Sequence, residues 1–129
     1  MNEFFLLQIE NLNNPKKAER LNSLSVLKNA VDKGDMPKPV FYNDVNNHIH
    51  TAYSFSPYSP SKALFMAYMN GLKTAGIMDH DSVAGCEEFI EAGKILDMPI
   101  TCGIEVRARM DKTPLNGLRI NNPDQDSVA

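Results

Sequence analysis

Cysteine is scarce in this chain: Cys86 and Cys102 are the two cysteines among its 129 residues. Two thiols give no disulfide framework, and neither has the spacing of a zinc clip. A reduced, cytoplasmic setting is therefore expected. No apolar run reaches the roughly 18 residues that a membrane-spanning helix requires. The start, Met1 to Glu10, is briefly apolar but has no basic region and carries acids, so it matches a signal peptide poorly. Excess positive charge is also lacking. Lys and Arg number 13 against 16 Asp and Glu, a net charge of −3, which leaves no electrostatic footprint for nucleic acid. Internal repeats and low-complexity segments are absent as well. The remaining composition, 43% hydrophobic and 22% charged, is that of one ordinary domain.

Residues 1–40 predict a helical segment that carries no chemistry. A short apolar-faced helix is expected over 1–12. Asn14-Pro15 then supplies a cap followed by a proline suited to a first helical turn. Leu21, Leu24, Leu27, Ala30 and Val31 recur at helical spacing until Gly34 stops the run. Pro37 and Pro39 cannot continue a helix and mark a linker. The second region, 41–129, alternates strands and helices: strands at 45–50, 77–80 and 100–106, with helices at 61–74 and 83–96. Ser59-Pro60 opens the first of these helices, Gly76 ends it, and Asp81 or Ser82 caps the second. Cys102 reads as a small buried hydrophobe. Such alternation is the pattern of parallel βαβ units. The tail holds turn signals at Thr113-Pro114-Leu115-Asn116-Gly117 and Asn121-Asn122-Pro123-Asp124.

The polar residues with chemistry in them gather at the expected strand ends. A strand sends alternate side chains to one face, so His48 and His50 point the same way and Ile49 the other. Asp79 and His80 close the second strand, and Glu105 lies near the end of the third. Ligands of parallel α/β proteins bind at such carboxyl ends. Imidazole and carboxylate together suit zinc, manganese or iron, and a neighbouring carboxylate such as Asp79 can hold an imidazole in one tautomer. Arg107, just past the third strand, is a candidate phosphate contact. Each residue also has a plain structural role open to it, as surface histidine, strand-end carboxylate or solvated arginine.

Asn47-His48-Ile49-His50-Thr51, Ile77-Met78-Asp79-His80-Asp81 and Gly103-Ile104-Glu105 resemble the first three motifs of the PHP (polymerase and histidinol phosphatase) family. They stand in the family's order and at about its separation, over roughly residues 43–107. The resemblance implies the front βαβαβ units of a seven-stranded, TIM-like (β/α) barrel, a partial barrel preceded by the helical segment and apparently truncated. It implies a site of two or three divalent metal ions, with His48, His50, His80 and Glu105 as ligands and Asp79 in support. It implies hydrolysis of a small phosphorylated metabolite by a metal-bound hydroxide. Two departures stand out. Phe55 and Ser56 occupy positions where many members carry a further Asp or His, and no histidine follows His80 to supply the family's later ligands.

Three readings follow. The first is a PHP-type phosphoesterase in the longer protein, with Asp79 and Arg107 assisting catalysis and no nucleic-acid or membrane partner. The second is a catalytically incomplete chain that binds metal or self-associates through an open sheet edge. The third, ranked last, is an accessory domain of a DNA polymerase.

Overall fold

The protein is described here by a computed structural model, which covers residues 2–118. Asn2 opens the first helix: its side-chain oxygen accepts from the Phe4 N–H at 3.0 Å, pairing a donor that a helix start leaves free. This helix, α1, spans Glu3–Asn11. Asn14 Oδ1 then accepts from the Lys16 N–H at 2.9 Å, and α2 runs Lys17–Lys33. Asn14-Pro15 thus shapes the turn just ahead of the helix. Gly34 closes α2 at φ +83°, a conformation that costs glycine little because it has no Cβ.

The order continues with β1 (Val45–Ile49), α3 (Pro60–Met69), β2 (Thr74–His80), α4 (Cys86–Leu96) and β3 (Ile100–Glu105). Ser59 caps α3 as expected, accepting from the Lys62 N–H at 3.0 Å with Pro60 in the first turn. Three boundaries differ from expectation. Helix α3 stops at Met69 because Asn70 and Gly71 turn the chain, with Gly71 at φ +77°. A Cβ at Gly71 would lie 2.0 Å from the Val40 carbonyl oxygen, so that turn demands glycine twice over. Gly76 sits inside β2 instead of ending a helix. Helix α4 begins at Cys86, because residues 81–85 form a turn in which Ser82 Oγ accepts from the Ala84 N–H at 3.2 Å.

The strands form one parallel sheet in the order β1-β2-β3. β2 and β3 pair without a break, from Ala75 opposite Ile100 to His80 opposite Glu105. β1 matches Val45 to Thr74 and Asn46 to Ala75, then resumes with Ile49 opposite Ile77. One extra residue is therefore inserted in β1, a β-bulge. Helices α3 and α4 pack on one sheet face and on each other, α2 lies against both, and α1 against α2. The core fills this sandwich: Leu24, Leu27 and Val31 of α2, Leu64 and Phe65 of α3, Ile77 of β2, and Phe89 and Leu96 of α4. Across it, buried Arg20 of α2 pairs with buried Glu88 of α4.

The barrel expectation is corrected. Among the described residues the sheet has three strands and stays open, with β1 and β3 both edges and no helix on its second face. Three strands about 4.8 Å apart cannot curl far enough for the first to meet the last. Cys102 is corrected too. It is exposed, because β3 is an edge strand and only part of it is covered by α4. The turn signal at 113–117 is real, with the Thr113 N–H donating to the Met110 carbonyl at 2.9 Å, while that at 121–124 lies outside the described residues. Among the described residues, no helix is long and apolar enough to cross a membrane.

Candidate metal centre

Side-chain alternation along the three strands builds the site. On β2, Ala75, Ile77 and Asp79 are buried towards the helices, so Met78 and His80 take the other face. Glu105 is the register partner of His80 and shares that face. On β1 the inserted residue turns Ile49 to the helix side, where it packs against the core. His48 and His50 then face the same way as His80 and Glu105.

All three imidazoles converge on one carboxylate oxygen. Glu105 Oε2 lies 2.8 Å from His48 Nε2, 3.6 Å from His50 Nε2 and 3.6 Å from His80 Nε2. The His50 and His80 rings stack, with centroids 4.7 Å apart and planes 6° from parallel. The His48 ring stands edge-on to His50 at 5.0 Å. The hydrogen bond to His48, aided by the charges of His80 and His50, holds the Glu105 carboxyl below its usual range. One atom of the cluster is left over: His80 Nδ1 is buried and has no hydrogen-bond partner.

Neighbouring residues fix these side chains. Ser54 Oγ accepts from the His80 backbone N–H at 3.0 Å and sits 3.3 Å from His50 Nδ1, so one hydroxyl links the His50 ring to the backbone of His80. Asp79 points away from the histidines, as alternation requires. Its oxygens accept from the Thr51 N–H at 2.6 Å and the Thr51 hydroxyl at 2.7 Å, deep in the core. Asp79 thereby ties the end of β2 to the residue after His50, which makes it a positioning residue and keeps it off the ligand group. Arg107 lies at the rim, 72% exposed, with Nε 2.9 Å from Asp81 Oδ2. Phe55, 84% exposed, adopts φ +55° and stands edge-on to His80 at 5.0 Å.

His48, His50 and Glu105 each offer a ligand atom, all within 4.8 Å of one another, so this group can hold a metal ion. His80 stands beside it through its contact with Glu105. Sequence reasoning singled out these four residues but passed over Ser54 and Thr51. Their signal was the polar loop that directly follows His50. Without structure, nothing told a bracing hydroxyl from a solvated one.

Fold and site together define an α/β protein with a histidine-and-carboxylate group at the carboxyl ends of a parallel sheet. The chain is similar to a 5'-3' exoribonuclease of Haemophilus influenzae, 26% identical over 74 residues, which is 57% of this chain and 27% of that enzyme. It thus spans about a quarter of the length of the curated relative it matches. No family model matches the chain. No solved structure matches it either.

Proposed function

We propose that the chain contributes the metal-binding part of a PHP-type, metal-dependent phosphoesterase, whose complete site holds two or three ions of zinc, manganese or iron. The observation that carries this reading is the convergence of three imidazoles on the single Oε2 of Glu105. Gathering four ligating groups on one another at the strand ends, with the buried His80 Nδ1 unpartnered, makes poor sense for stability alone. It makes good sense for a cation, since mixed imidazole and carboxylate donors suit all three of these metals. His48, His50 and Glu105 would hold one ion, and Glu105 and His80 would share a second. Such a cation supplies Lewis acidity, polarising a phosphoryl oxygen and lowering the pKa of water. Ser54 keeps the His50 ring in line by its contact with Nδ1. Arg107 sits at the open rim beside Asp81, where its guanidinium would meet a phosphate arriving from solvent.

The substrate on this reading is a small phosphorylated metabolite. The relative's printed activity favours a second one, the phosphodiester bond at the 5' end of an RNA. The two separate in one assay. The purified chain, loaded with each metal in turn, is offered a generic phosphomonoester and a short oligoribonucleotide. Metal content by elemental analysis is read beside turnover. Bound metal that disappears in His48→Ala with His50→Ala supports the site. Metal content unchanged by that double substitution sinks the assignment. Metal without turnover of either substrate would favour a chain that binds metal and self-associates through its open edges.

A further inference from the structure

The two cysteines were set aside by sequence spacing, yet the fold brings them together on the helix side of the sheet. Cys86 is the first residue of α4. Its neighbour Gly85 lies so close over β2 that an added Cβ would meet Ile77 Cδ1 at 2.7 Å. Ile77 is the register partner of Cys102 on β3. The start of α4 is thus seated over Ile77, beside Cys102, and Cys102 Sγ lies 4.0 Å from the Cys86 carbonyl oxygen. Both thiols are free, Cys102 exposed and Cys86 partly so.

We propose that Cys86 and Cys102 are a redox-sensitive thiol pair that closes to an intramolecular disulfide when a small-molecule disulfide of the glutathione type is in excess. The Cys86 sulfur, as thiolate, attacks one sulfur of the oxidant and expels the other half as a thiolate, leaving a mixed disulfide on Cys86. The Cys102 thiol loses its proton to water and attacks the Cys86 sulfur, expelling the second half. Two protein thiols and one small disulfide become one protein disulfide and two small thiols, so the electron pair passes to the oxidant. The order follows from the environment. Partial burial, and then the adjoining Cys86 thiol, push the Cys102 thiol up to about 11, which makes it the slower of the two to attack first. Closure would staple the start of α4 to β3. The turn that follows His80 and the strand that ends in Glu105 would then be joined covalently. Oxidation state would therefore bear on the metal centre without touching a ligand.

The test uses the whole chain and does not depend on its activity. The reduced protein is incubated with oxidised glutathione at neutral pH, quenched with acid and read by intact mass and peptide mapping. The expected product is a monomer that has lost two hydrogens and carries a peptide crosslinked between Cys86 and Cys102. Cys86→Ser and Cys102→Ser should each stop at one retained glutathione. Closure of the mixed disulfide should be at least about tenfold faster in the native chain than in urea, because the fold holds the pair together. Glutathione retained on the wild type without a crosslink, a covalent dimer, or equal closure rates in urea would each overturn the proposal.

Discussion

Replacing Glu88 by alanine should cost this fold far more than the loss of one carboxylate suggests. Glu88 sits on α4 with its side chain 3% exposed, and Arg20 on α2 is 10% exposed. Glu88 accepts from Arg20 with both carboxylate oxygens along one guanidinium edge, Nε donating at 2.8 Å to one and Nη2 to the other. It also accepts from the Ser61 N–H at 3.1 Å and the Ser61 hydroxyl at 2.7 Å. The carboxylate therefore joins α2, α3 and α4 at one point. Removing it strands the guanidinium in a dry site, for which a loss of about 3–5 kcal/mol is typical. A domain of this size has a stability on the order of 10 kcal/mol, so the variant loses a large share of it. The pair as a whole is worth less. Arg20→Met with Glu88→Leu removes both charges and should cost only about 1–3 kcal/mol, mainly for the unpaired Ser61 N–H and the Asn14 and Pro15 carbonyls that Arg20 Nη1 serves. Urea titration at pH 7 reads both variants. Equal losses in the single and double variants would refute the argument, because the stranded charge would then carry no cost.

The same carboxylate sets an acid dependence. Burial alone would push Glu88 up, but the hydrogen bonds from Arg20 and Ser61 outweigh it and hold its folded value below the usual carboxylate range. Its contribution is therefore present above the unfolded value of about 4.3 and drains away as pH falls through the lower folded one; Glu88→Gln should flatten that part of a stability-pH curve, and an unchanged curve would count against it. Asp79→Ala leaves the buried Thr51 N–H without its acceptor and should lower stability by about 2–4 kcal/mol, with a thermal midpoint as the check and a loss under about 1 kcal/mol as the contrary result. Gly71→Ala and Gly34→Ala form a matched pair. Both have positive φ, but a Cβ at 71 would lie 2.0 Å from a carbonyl while that at 34 meets nothing within 4 Å. The first should cost at least about 2 kcal/mol and the second about 1, so equal values would mean the clash relaxes freely.

Much of the site could be read in the sequence because strand ends and a two-residue alternation are local properties. His48, His50, His80 and Glu105 follow from them, and the structure brings these four side chains together. What was misjudged depends on partners far along the chain. Gly76 looks like a helix stop until Asn47 and Thr101 close in around it. Asp79 looks like a companion of His80 until Thr51, remote in sequence, takes both of its oxygens. Cys102 looks like core until its strand proves to be an edge. The barrel was inferred from resemblance, and no local pattern in the chain could test whether a sheet closes.

The extra residue in β1 decides more than a local kink. With an unbroken register, His48 would fall opposite Ile77 and point into the helices, while Ile49 would face water. The insertion shifts the strand's phase by one, and that shift alone puts the histidines beside Glu105. The centre is thus encoded by a count as much as by residue identity. Deleting Asn47 would leave every proposed ligand in the sequence and send two of them to the wrong side of the sheet. Substitutions that preserve the count should be forgiven where a single deletion is not.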